Sequence, residues 1–360
     1  MYSLSEFIES RRPHCKQIEA DCDLDYDIQY FYPNEPDIHF NKIPKTPSIE
    51  IHKSITDYLC HVKKYNFNPF YVAEGKSIQV RCMNDVGSVI VADEGDNIFE
   101  DISSRYKFQA DDEVNEIHLS GDNVLLALDS GSNYFHWICQ ILPRIKLLQD
   151  SGIDWSKINK ILIPEIRGDF VKHSLKALNV PIDKIIQTKK NDLYIFERLI
   201  MPCKPNNHIY IARWAIDFLK STFLKKNLEQ KDKIYIKRRE AQGRNIINEK
   251  EILPILKEKG YRAIYLEDYN IFEQARIFNT AKSIVSPHGA ALGNLVFCQQ
   301  GTHFLELFNA SHFHCLYWNF ANILDLDYYY YQSNNNMIAP PNNKNQNIHI
   351  ETSIFRDILI

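Results

Sequence analysis

Three stretches of this chain carry residues whose types and spacing suit chemistry. Asn133–Leu148 (NYFHWICQILPRIKLL) sets His136 and Gln140 four residues apart, on one face of a helix that Asn133 can cap, with Pro143 and Arg144 following. An imidazole titrating near neutrality is a candidate proton acceptor. Taken alone, the stretch favours a core helix around Trp137 with a structural histidine. Ile234–Glu249 (IYIKRREAQGRNIINE) brings Arg238 and Arg239 to a strand end and Arg244 across a glycine-containing loop. Guanidinium forks match phosphate oxygens, and the carboxyl ends of parallel strands are where open α/β sheets bind ligands. The plainer alternative is a solvated basic loop. Lys282–Phe308 (KSIVSPHGAALGNLVFCQQGTHFLELF) reads as a strand, a Pro287-His288-Gly289 turn, a helix from near Ala290, and a second strand holding the lone acid Glu306. A helix start with a glycine that lets backbone approach a ligand suits an anion, although such units also serve structure alone.

These stretches need a frame to hold them. From Asp122 onward, strand and helix signals alternate: Val124–Leu128, Ile158–Ile163, Leu193–Met201, Lys233–Ile236, Tyr261–Leu266 and Thr302–Leu307 as strands, with helices over Tyr134–Gln149, Phe170–Leu178, Ile209–Lys225, Asn248–Lys259 and Ile271–Ala281. Asn248 with Glu251 has capping-box spacing, Gly260 is a stop signal, and Pro254 implies a kink or later start. Alternation of this kind argues for parallel sheets covered by helices. The expected fold is α/β with two facing Rossmann-like domains. Residues 1–110, punctuated by prolines, read as an N-terminal β-rich extension, 111–228 as the first domain and 229–331 as the second. The Lys-rich stretch Lys225–Lys233 is the expected linker. Residues 332–360 read as an Asn/Pro surface loop and a tail that returns to the body.

Composition narrows the function. The chain has 360 residues, 44% hydrophobic and 24% charged, with 20 Tyr, 20 Phe and only 12 Gly, as expected for a packed enzyme-sized protein. A net charge of −4 offers no electrostatic case for nucleic acid. No apolar run approaches the ~18–20 residues of a membrane span, and charges near the N-terminus fall where a signal peptide is apolar. A cytosolic protein is expected, at most peripheral to the inner face of a membrane. Eight cysteines without a C-x-x-C pair read as reduced thiols. His312, His314 and Cys315 form a weak metal-ligand pattern, lacking the paired spacings of zinc sites. The Asp-x-Asp runs at Asp21–Asp27 and Asp325/Asp327 read as surface acids.

In this order, the three stretches resemble glycosyltransferase family 61. The first pattern is matched by Asn133, Tyr134, His136, Trp137, Leu142, Pro143 and Arg144. The second is matched by Tyr235, Ile236, Arg238, Arg244, Asn248 and Glu249, and the third by Pro287, His288, Gly289, Ala290, Leu292, Asn294, Phe297, Glu306 and Leu307. The resemblance spans about residues 75–325. It implies a GT-B architecture and an inverting, metal-independent transfer from a nucleotide sugar to a glycan or glycolipid hydroxyl. UDP-linked xylose, another pentose or GlcNAc is the donor that family precedent allows, as in polysaccharide biosynthesis, and no cofactor is expected. His136, whose imidazole titrates near neutrality, is the expected base, and Arg144 is grouped with it as catalytic. Arg238, Arg244, His288, Gly289, Ala290, Asn294 and Glu306 go to the donor, Glu306 as acceptor of ribose hydroxyl bonds. Asn133, Gln140, Lys237, Asn248 and Glu249 are supports. Two departures stand out. Gln140 replaces an acid, and an amide cannot take up a proton usefully, so either another group is the base or the chain binds without transferring. Lys237 replaces a serine and adds charge.

Overall fold

A computed structural model describes residues 26–31, 38–39, 64–65, 67, 70–95, 98–99, 102–104, 114–205, 210–239, 243–333 and 345–360. The sequence readings for residues 21–25 and most of the Asn/Pro stretch lie outside these. The strands are β1 (Tyr26–Phe31), β2 (Ile38–His39), β3 (Lys64–Tyr65), β4 (Phe70–Cys82), β5 (Val89–Ala92), β6 (Asn115–Leu125), β7 (Ile158–Ile163), β8 (Ile185–Gln187), β9 (Asp192–Pro202), β10 (Asp232–Lys237), β11 (Arg262–Tyr265), β12 (Ala281–Pro287), β13 (His303–Phe308) and β14 (Asp327–Gln332). The main helices are α1 (Leu142–Asp150), α2 (Asp169–Ala177), α3 (Arg213–Phe223), α4 (Glu249–Glu258), α5 (Ile271–Thr280), α6 (Leu316–Leu324) and α7 (Thr352–Ile358). The chain is thus mixed α/β with parallel strands. Among the described residues, no helix is long and apolar enough to cross a membrane.

The chain divides into two compact units, residues 1–35 with 68–207, and residues 36–67 with 208–360. The first unit carries a seven-stranded sheet in the order β1-β4-β9-β6-β7-β8, with β5 also on β4. Its β9-β6-β7-β8 half is parallel, and its β1, β4 and β5 pairings are antiparallel. The strands expected in an N-terminal extension therefore complete the same sheet as the later parallel strands.

The second unit carries a five-stranded, wholly parallel sheet in the order β11-β10-β12-β13-β14. Counted from β10, this order is 2-1-3-4-5. Successive crossovers leave β10 in one direction and reach β12 in the other, so a switch point lies where β10 pairs with β12. β13 is buried at every position, as a central strand covered on both faces must be. The Lys-rich stretch is not a linker but part of this unit. Leu228 N donates to Asn279 Oδ1, Lys231 N to Thr280 O, and Gln230 Nε2 to Thr302 Oγ1.

The tail joins the same core. Ile348, Ile350, Phe355 and Leu359 are buried with Tyr235, Val285, Leu305 and Leu307. α4 runs through Pro254, but Asn248 does not form the capping box expected for it. Its Oδ1 accepts from Ile350 N, and its Nδ2 donates to Ile350 O and Glu251 Oε2. The same N-x-x-E signature at Asn270–Glu273 does form a full box, heading α5.

Candidate active site

In the first unit, Asn133 caps the turn Tyr134–His136, its side chain accepting from Phe135 N at 2.9 Å. A π-helical turn, Trp137–Ile141, follows before α1, where a plain α-helix was expected. Such turns insert an extra residue and recur at functional sites. Trp137 is anchored by Nε1 donating to Ser174 Oγ of α2.

His136 Nδ1 lies 2.6 Å from Gln140 Oε1. An amide oxygen only accepts, so the ring hydrogen sits on Nδ1 and the lone pair on Nε2. Burial holds the imidazole below its usual pKa of 6.5, opposed by Gln140 and by the charge of Asp129. Gln140 therefore fixes the tautomer of a neutral imidazole without adding a charge.

Arg144 is committed to the backbone of the core. Its guanidinium is 1% exposed and spends all five N–H bonds on backbone carbonyls. Nε and Nη2 donate to Pro202 O, Nη1 to Leu126 O and Ala127 O, and Nη2 to Leu125 O. Burial lowers its pKa to about 10, so it stays charged near neutrality. The residue ties the ends of β6 and β9 together, which corrects its expected catalytic role.

In the second unit, the carboxyl ends of β10 and β12 meet at the switch point. Arg238 follows β10 and His288 follows β12. Arg244 Nη1 donates to His288 O at 2.9 Å, and Arg238 Nη1 reaches the same carbonyl at 3.5 Å. The Nε of each guanidinium is buried without a partner. Among the described residues, neither forms an ion pair. Burial lowers both pKa values, and for Arg238 the charge of Arg244 adds to the effect. Two cations sharing one carbonyl, each with an orphaned N–H, make a cradle for an anion.

Gly289 lets this happen. A Cβ there would lie 2.5 Å from Arg238 Nη1, so any side chain pushes that guanidinium away. Ala290 opens a 3-10 helix, Ala290–Phe297, and Tyr317 of α6 fixes the preceding turn by donating to Gly289 O. Asn294 is fully buried and donates to Gln274 Oε1 and Ala291 O, holding this segment on α5.

Glu306 has a different task from the one expected. It is 0% exposed, with Oε1 on His288 Nδ1 at 2.6 Å and Oε2 accepting from Tyr328 OH at 2.8 Å. Burial raises its pKa to about 8, while burial and the two arginines push His288 down to about 3. Both shifts favour the uncharged forms, with burial as the leading cause. When the acid is protonated it donates to Nδ1, and the imidazole hydrogen then lies on Nε2. Both oxygens are engaged inside the core by His288 and Tyr328. Because the neutral acid has the shape and donors of an amide, Glu306→Gln is expected to retain the melting temperature and phosphate-ligand affinity of the wild type at pH 7. A loss above ~2 kcal/mol in either would show that the carboxylate is ionised.

The remaining expected supports act locally. Lys237 pairs with Glu249 at 3.1 Å and lies over the Tyr265 ring, while Glu249 also accepts from Tyr235 OH. Arg239 turns away to Asp268. His312 and His314 are not on a strand; their rings lie 5.5 and 5.9 Å from that of His288. His314 Nδ1 accepts from Leu316 N, so its hydrogen is on Nε2. Among the described residues, no group of three or more His, Cys, Asp or Glu side chains is arranged to hold a metal ion. Asp325 ends α6 in a left-handed turn and Asp327 opens β14, at the amino edge of the sheet. Tyr317 and Tyr328 went unnoticed in the sequence, where they are two tyrosines in an aromatic-rich stretch.

The fold and site define a class: an α/β protein with a cationic cradle at the carboxyl edge of a parallel sheet. Within it, the family model described as Glycosyltransferase 61 matches residues 134–305 of the chain, which supports the resemblance to glycosyltransferase family 61. No curated protein matches the chain.

Proposed function

We propose that this protein is an inverting glycosyltransferase of the GT-B type that takes a nucleoside diphosphate sugar, UDP-linked, and transfers the sugar to a glycan hydroxyl. The observation that carries this reading is the half-buried Arg238–Arg244 pair, which forms no ion pair among the described residues and whose Nε atoms are each buried without a partner. Leaving diphosphate acquires charge as the glycosidic bond breaks, and fixed cations in a partly dry site stabilise it. Arg238 and Arg244 supply that charge. The Nε2–H of His288 adds a neutral donor beside them. His136 supplies the base, its lone pair on Nε2 accepting the acceptor hydroxyl's proton while Gln140 holds Nδ1–H.

Calorimetry with UDP tests the cradle. Arg238→Ala is expected to weaken binding by ~1.5–3 kcal/mol, the scale of a hydrogen bond to a charged group. Unchanged affinity would remove the cradle from the donor site. Incubation with a panel of UDP-sugars tests transfer itself, and UDP binding without turnover of any donor would reduce the protein to a binding module.

A further inference from the structure

We infer that the C-terminal segment Asn345–Ile350 is a strap that positions Arg244, and that Asn248 is the positioning residue that locks it. This rests on the reading of Arg244 as part of the anion cradle. Arg244 sits in the left-handed region at φ 59°, which a side chain other than glycine adopts only when its surroundings enforce it. The surroundings here are the strap. Arg244 N donates to Asn345 O at 3.1 Å, and Asn245 N to Asn347 Oδ1 at 3.0 Å. Ile348 N then donates to Asn245 O, and Ile247 N to Ile348 O, with Ile246 and Ile348 bridged in parallel.

The loop is shaped to receive it. Gly243 has φ 111°, and a Cβ there would collide with the Asn345 carbonyl. Asn248 closes the arrangement by bonding both the N–H and the C=O of Ile350, at 3.0 and 2.8 Å. The strap is itself fixed from below, since Ile348 and Ile350 are 0% exposed and pack in the core beneath β10 and β12. Its register is thus dictated by the sheet, and it passes that register to Arg244, whose Nη1 reaches His288 O. Arg238 needs no such device because it continues directly from β10.

The test is a double-mutant cycle in the full chain, read by UDP calorimetry and by amide hydrogen exchange. Asn248→Ala is expected to weaken UDP binding about tenfold, to add nothing further in an Arg244→Ala background, and to add its full tenfold in an Arg238→Ala background. Exchange should accelerate at residues 243–248 while β10 and β12 stay protected. Equal losses in both arginine backgrounds, or unchanged affinity with the loop opened, would overturn the inference. Should Asn248→Ala fail to fold, Gly243→Ala gives the same comparison at the loop itself. If the wild type does not bind UDP, the proposed function falls, and the exchange data alone then decide whether the strap holds the loop: unaltered exchange at Arg244 and Ile247 in the variant would refute it.

Discussion

Arg144→Ala is expected to lower the unfolding free energy by about 3 kcal/mol or more, since each buried carbonyl left without a donor costs about 1–3 kcal/mol. The loss has two sources. Five hydrogen bonds disappear, and the carbonyls of Leu125, Leu126, Ala127 and Pro202 are left facing a cavity where water is excluded. Arg144→Lys should lie between, because an ammonium has three donors and no planar fork to reach both strand ends. Denaturant titration with an unchanged slope measures this, and a shift under 1 kcal/mol would show that the guanidinium is not a strut. The outcome separates two roles for the residue. A catalytic arginine gives a stable, inactive variant, whereas a strut gives an unstable one whose folded fraction still binds UDP.

His136→Gln is expected to leave stability and UDP affinity in place and to reduce the transfer rate by about 10²–10⁴, the usual contribution of a positioned general base. The pH dependence gives the sign. The active form is neutral and its pKa is depressed by burial, so activity falls only as pH drops below 6.5 and is level above it. A glutamate at position 140 would favour the imidazolium, raise that pKa and move the acid limb upward. Gln140→Glu should therefore be slower than wild type near pH 6 and regain activity at higher pH. Undiminished transfer by His136→Gln, or an acid limb unmoved by Gln140→Glu, would assign the base elsewhere.

Much of this arrangement was written in local sequence, and the rest was not. Strands β10, β12 and β13 announce themselves as short apolar runs, and Arg238 and His288 are legible at their ends because strand direction places them there. The His136–Gln140 pair and the Asn133 cap were equally readable, being contacts within a turn or so of helix. What escaped were partners fixed by topology. Arg144 looked like a motif residue in search of a ligand because its carbonyl partner Pro202 lies 58 residues away. Glu306 looked free for a ribose until Tyr328 and His288 were seen to claim its two oxygens. Asn248 had the right spacing for a capping box, yet a segment 102 residues distant competes successfully for its side chain. The Lys-rich stretch looked like a linker by composition, whereas its backbone is held along the sheet's amino edge.

The long span between Asn248 and Ile350 has a consequence for the donor side of the protein. Closing a loop of about a hundred residues carries an entropic cost that grows slowly with length and is repaid only once the sheet beneath is in place. The contacts that hold Arg244 in its left-handed backbone thus depend on the sheet that buries Ile348 and Ile350. The C-terminal segment is itself part of the core, since Ile348, Ile350, Phe355 and Leu359 are buried with the strands, so completing the core and ordering the second cation are one and the same event.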